Sequence, residues 1–127
     1  MFIQQVIVRH VAMTLKTPFK TALRTVSEIE NIIVEIVLNN GVIGIGAAAP
    51  TTVITGDSCD SIVAALTGPI RAKIVGQDLT QFNEVLRLVQ TSCVYNTSAK
   101  AAADIALYDA YCKTLGISVS SFLGGRK

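Results

Sequence analysis

A chain of 127 residues, 50% apolar and only 16% charged, is long enough for one core, but it has little polar material to cover the outside. A net charge of +2 with dispersed basic residues excludes a nucleic-acid-binding stripe, and no run approaches the roughly 18 apolar residues that cross a membrane. Three widely spaced cysteines, Cys59, Cys93 and Cys112, exclude a disulfide framework and point to a reducing cytoplasm, and the N-terminus has no secretory pattern. The expectation is a single domain over residues 1–127 with an exposed apolar face, a docking surface for a further part of a polypeptide or for another copy.

Residues 2–15 (FIQQVIVRHVAMTL) are β-branched and apolar with partial alternation, which predicts a long strand. Residues 27–38 and 42–48 predict two more, joined antiparallel by Asn39-Asn40-Gly41, which supplies the positive-φ positions of a tight hairpin. Thr17–Val26 (TPFKTALRTV), with Lys20 and Arg24, reads as the loop between the first two strands. The period then changes. Asp57 or Ser58 caps a helix that breaks at Gly68-Pro69, and a short helical turn ends at Gly76. Phe82, Val85, Leu86 and Val89 recur at helical spacing in residues 80–91. Ser98 caps the last helix and Gly116 stops it, with Ile105, Tyr108, Cys112 and Leu115 on one face and the i, i+4 pairs Lys100–Asp104 and Asp109–Lys113 on the wetter one. Strands first and helices afterwards predict an α+β fold, a three-stranded antiparallel meander followed by three to four helices packed on one face.

Few residues carry obvious chemistry. Gly44–Ala49 (GIGAAA) matches the glycine pattern of nucleotide-binding turns, but Pro50 follows at once, so no helix opens there to hold a pyrophosphate. Gly44 and Gly46 instead let the third strand pass close to other backbone. The acidic residues are scattered and His10 is the only histidine, a strand residue, so no metal-ligand spacing and no acid–base pair stands out. Cys59 lies at a helix start, where a thiol is activated, but nothing in the sequence supplies a base beside it. Lys20, Arg24 and the small, polar stretch Thr51–Ser58 read as solvated connections on these grounds alone.

Three segments carry a resemblance over essentially the whole chain: PFKTALRTV (Pro18–Val26), PTTVITGDS (Pro50–Ser58) and SAKAAADIALYDAYCKTLGISVSSFLGG (Ser98–Gly125). Together they resemble the N-terminal capping domain of the enolase superfamily, in the muconate lactonizing enzyme subgroup, most of all the L-Ala-D/L-Glu (dipeptide) epimerases. The resemblance implies an enolase N-terminal domain-like fold whose first two segments close over a substrate held by a C-terminal (β/α)₈ barrel. In such enzymes two barrel lysines move the α-proton of the dipeptide, and a Mg²⁺ held by three barrel carboxylates stabilises the enediolate. It also implies substrate-binding roles here: Arg24 pairs with the side-chain carboxylate of a glutamyl residue, and Phe19 and Ile54 line the cavity. Lys20 matches the motif without a ligand of its own.

This chain stops at LGGRK, where the barrel would begin, so the resemblance implies no catalytic residue, no metal ligand and no cofactor within it. Its expected partners are the barrel, or other copies through the apolar face in a homo-oligomer, and a small acidic dipeptide in the full-length enzyme. Ala47 stands where the family commonly has glutamate in a G-x-G-E pattern. The rival expectations are a non-catalytic, self-associating domain and the cap of a muconate cycloisomerase or another racemase of the superfamily.

Overall fold

The structure, a computed structural model, describes residues 1–20, 25–48 and 58–124, with the backbone alone for 12–20 and 25–30. Strands β1 (Ile3–Lys20), β2 (Thr25–Leu38) and β3 (Ile43–Ala48) form an antiparallel sheet in the order β1-β2-β3. Alternation along β2 puts Ile32, Val34, Ile36 and Leu38 on one face, all fully buried. The turn after β2 is built as its residues predict: Gly41 has φ 89°, and the Asn40 side chain accepts from the Val42 N–H at 3.0 Å. The first strand runs further than expected, because Thr17–Lys20 continue β1 and the hairpin pairs Phe19 with Val26 and Lys20 with Thr25. β1 advances from Thr14 to Phe19 while β2 moves only from Glu28 to Val26, so the surplus of β1, which contains Pro18, bulges out of register. A proline has no N–H to give a ladder, so a bulge is where it fits.

Helix α1 (Cys59–Ala65) starts at Ser58, whose hydroxyl accepts from the Ser61 N–H while the Ser61 hydroxyl accepts from the Ser58 N–H. The expected break at Gly68-Pro69 does not occur. Leu66–Ile70 form one π-helical turn and lead into α2 (Arg71–Ile74). The wide turn moves the carbonyl that a proline ring would strike, and it keeps Ile62, Leu66, Ile70 and Ile74 in a single buried row. Gly76 then turns the chain at φ 90°, and residues 76–79 run beside the start of β1, where the Gly76 N–H donates to Ile3 O at 2.8 Å.

Helix α3 (Phe82–Thr91) buries Phe82, Val85 and Val89, as its spacing predicts, with Leu86 half-buried. Helix α4 (Thr97–Leu115) begins two residues earlier than a Ser98 cap predicts, after a left-handed Asn96 (φ 55°), so Ser98 is inside its first turn rather than its cap. Gly116 ends it at φ 73°, as expected. A short α5 (Val119–Phe122) follows, capped by Ser118, and Phe122 joins a ring cluster in which Phe82 stacks on Tyr111 at 4.4 Å and meets Tyr108 edge-on at 4.9 Å.

The buried face of α4 is only partly the one its large apolar residues predict: Cys112 is buried and Tyr108 half-buried, and Leu107 is fully buried beside them. Ala99, Ala102, Ala103, Ala106 and Ala110 face the core, whereas Ile105 and Leu115 are about half exposed. Small residues win because α4 lies directly on β3. A Cβ on Gly44 would stand 2.1 Å from the Ala106 carbonyl oxygen, and one on Gly46 would stand 2.0 Å from that of Ala102. The close backbone approach expected of these glycines is therefore present, with α4 as the other partner. Lys100 and Asp104 do not pair with each other: the buried Lys100 donates to Cys93 O, and Asp104 accepts from the Gln90 amide. Asp109 and Lys113 do pair, at 2.9 Å.

Candidate functional site at one end of the sheet

The register places the described residues that flank both segments singled out in the sequence, the Lys20–Thr25 pair and Ala48, toward the same end of the sheet. β3 runs parallel to β1 and ends at Ala48, opposite Ile32, and His10 stands opposite Ile32 from the other side. The β1–β2 hairpin projects beyond that level as far as the Lys20–Thr25 pair. The chain that leaves β3 after Ala48 returns at Ser58 and Cys59, where the Cys59 Sγ lies 3.5 Å from the His10 Nε2. Antiparallel topology thus puts the Lys20–Thr25 pair, the end of β3 at Ala48 and the start of α1 toward the same end of the sheet, although they are distant in sequence.

Of the residues expected to contact substrate, Phe19 lies in β1 opposite Val26. Arg24 and Ile54 fall outside the described residues, as does most of Pro50–Ser58. Lys20 is the last residue of β1 and pairs with Thr25. Ala47, in place of the family glutamate, lies on the outer face of β3 opposite Ile33 and is exposed.

The His10–Cys59 contact was not legible in the sequence. A base does stand beside the Cys59 thiol, supplied by a strand 49 positions away that only the packing of α1 on the sheet brings near. His10 is on the helix-facing side of β1, past the point where the helical layer covers it, and so is exposed.

Among the described residues no three His, Cys, Asp or Glu side chains converge as metal ligands. The Mg²⁺ of the resemblance, a hard cation that requires oxygen ligands, finds no donor set among them. No helix of the described residues is long and apolar enough to cross a membrane. Cys59, Cys93 and Cys112 are all thiols.

A concavity of about 370 Å³ lies where α4, α5 and β3 meet, lined by Ile45, Ile105, Tyr108, Asp109, Val119 and Leu123. Ile45, Ile105 and Leu123 are 46%, 53% and 66% exposed, so part of the exposed apolar surface expected from composition lies here. Beside it Asp109 and Lys113 hold the outer edge of β3: Asp109 Oδ2 accepts from the Ile45 N–H at 2.9 Å, and Lys113 donates to Ile43 O at 2.8 Å. An edge strand otherwise offers these groups to other chains.

The chain is 42% identical over 125 residues to the L-Ala-D/L-Glu epimerase of Clostridium acetobutylicum, a match covering 98% of this chain and 35% of that enzyme. The structure of a substrate-liganded complex of the L-Ala-D/L-Glu epimerase from Bacillus subtilis superposes with a TM-score of 0.92 at 40% identity, over 97% of this chain and 34% of that one. A dipeptide epimerase from Methylococcus capsulatus, complexed with Mg and the dipeptide L-Arg-D-Lys, superposes with a TM-score of 0.90 at 32% identity, over 98% of this chain and 35% of that one. The chain thus spans about a third of the length of the relatives it matches. Residues 3–124 match the family described as mandelate racemase / muconate lactonizing enzyme, N-terminal domain, and the chain belongs to that family.

Proposed function

We propose that the chain is the substrate-specificity cap of a dipeptide epimerase that acts on an acidic dipeptide of the L-Ala-Glu type. The observation that carries this reading is the 42% identity to an L-Ala-D/L-Glu epimerase over nearly the whole chain. The reaction is removal and return of the proton on the α-carbon of the second residue. Its lysines and its Mg²⁺ ligands belong to a barrel outside these 127 residues, and the chain by itself is inactive. The contribution of the cap is recognition: the Arg24 guanidinium forms a charge-assisted pair with the glutamyl carboxylate, while Phe19 and Ile54 bound the apolar part of the cavity. This division is supported by the described residues beside the two segments, because the Lys20–Thr25 pair and the end of β3 at Ala48 lie toward the same end of the sheet. The complete enzyme works in the cytoplasm as a homo-oligomer.

The test is a hybrid in which residues 1–124 replace the matched third of the Bacillus subtilis enzyme. Exchange of the α-proton for solvent deuterium is followed on L-Ala-L-Glu and on L-Ala-L-Leu. Arg24→Ala raises KM for L-Ala-L-Glu by about 10- to 100-fold, as expected for the loss of a hydrogen bond to a charged group, and leaves the neutral dipeptide nearly unaffected. Equal losses on the two substrates would remove Arg24 from recognition. Preference of the unmutated hybrid for a basic dipeptide, or turnover of a muconate instead, would move the chain to another activity of its family.

A second reading is favoured by the exposed Ile45, Ile105 and Leu123: a non-catalytic domain that buries this surface against its own copies. Light scattering on the purified 127-residue chain separates the two. A concentration-independent monomer removes the self-associating domain, and a discrete oligomer supports it.

A further inference from the structure

We propose that Cys59 and His10 form a reactive thiol–imidazole pair, a modification site that takes small disulfides. The Sγ–Nε2 distance of 3.5 Å is within hydrogen-bonding range for sulfur, and it joins a strand residue to the first residue of a helix. Both partners are held by backbone that is fixed for other reasons. His10 is set by its register opposite Ile32, and Cys59 follows a Ser58 whose capping box fixes the start of α1. The thiol is half-buried and the imidazole exposed, so a small reagent reaches the sulfur from solvent.

The chemistry balances without a further reagent. The imidazole nitrogen accepts the thiol proton, and the thiolate attacks one sulfur of the incoming disulfide. One S–S bond forms at Cys59 as the original one breaks. Cys59 is oxidised to a mixed disulfide, and the departing half is reduced and leaves as a thiol with the proton. The described charged groups nearby are few. Asp60, next along α1, disfavours a thiolate. Arg9, on the opposite face of β1, is paired with Glu35 at 3.0 Å, and Arg71 of α2 is turned to Val6 O at 2.8 Å. On β2, His10 faces the apolar Ile32. The imidazole is in direct contact with the sulfur and favours the thiolate.

The other two cysteines are internal controls. Cys112 is buried, and burial together with Asp109 pushes its thiol up, away from reactivity. Cys93 is half-buried like Cys59, but the polar side chain recorded at its sulfur is the Ser92 hydroxyl at 3.6 Å, which is no base.

The experiment treats the 127-residue chain with 4,4′-dithiodipyridine between about pH 5 and 9, follows thiopyridone release, and assigns the modified cysteine by peptide mass spectrometry. Cys59 is expected to react at least about tenfold faster than Cys93 and Cys112 near neutral pH, with a half-maximal rate below the pH of about 8.5 typical of an ordinary thiol. His10→Asn should slow Cys59 about tenfold near neutral pH and return its profile to about 8.5, with the circular dichroism spectrum unchanged. Cys93 reacting as fast as Cys59, or an unchanged Cys59 profile in folded His10→Asn, overturns the proposal. Should that variant fail to fold, the unmutated profile decides: a half-maximal rate at about 8.5 is the overturning result. None of these readings depends on the epimerase assignment.

Discussion

Gly46 lies so close to Ala102 that a Cβ on the glycine would stand 2.0 Å from the alanine's carbonyl oxygen. The obstacle is helix backbone, which cannot turn aside as a flexible side chain would. Gly46→Ala must therefore lift α4 off β3, and it is expected to lower stability by about 3 kcal/mol in urea unfolding. A loss below about 1 kcal/mol would mean that the two elements slide apart cheaply.

Asp109 and Lys113 hold each other at 2.9 Å and together occupy the outer edge of β3 at Ile43 and Ile45. Both are partly exposed, so the ion pair itself contributes little, and the backbone hydrogen bonds contribute most of the effect. Asp109→Ala should cost about 1 kcal/mol and speed hydrogen exchange at the Ile45 amide more than at Ile36, which is internal to the sheet. Equal acceleration at both amides would point to global destabilisation instead.

Lys100 is buried, and its ammonium donates to Cys93 O at 2.6 Å, tying the first turn of α4 to the start of the connection that follows α3. Lys100→Met keeps the apolar stem and removes the donor, leaving that carbonyl without the ammonium. The expected cost is about 2 kcal/mol, the range for hydrogen bonds to charged groups, read from thermal or urea unfolding. A neutral outcome would show that water takes over the carbonyl.

Asp104 accepts from Gln90 through Oδ2, but its Oδ1 is buried without a hydrogen-bond partner. Burial raises its carboxyl above the ordinary 3.8, against the opposing pull of the Gln90 amide. A carboxyl that holds its proton more tightly in the folded chain favours folding below the unfolded value, and that contribution is lost as pH rises through the raised folded value. Asp104→Asn is therefore expected to raise the urea midpoint near pH 7, with a gain that shrinks as pH falls toward 3.8. A gain of the same size at both ends of that range would assign the benefit to packing rather than to the charge.

Periodicity and turn chemistry determined much of this protein by themselves. β-branched alternation, Asn39-Asn40-Gly41, the Phe82–Val89 spacing and Gly116 are local signals, and the meander and the helices after it lie where those signals put them. The glycines of β3 were legible too, because a strand gives up two side chains only where something must come close. Tertiary structure decided what local signals cannot encode. It turned the alanine face of α4 inward in place of Ile105 and Leu115, since the helix lies too close to Gly44 and Gly46 for larger residues at Ala102, Ala106 and Ala110. It carried one helical rod through Pro69, since Ile62, Leu66, Ile70 and Ile74 gain more by staying in one buried row than a straight α-helix could hold at a proline. It also brought His10 to Cys59 across 49 positions, a contact set by the packing of a helix on a sheet and by no pattern along the chain.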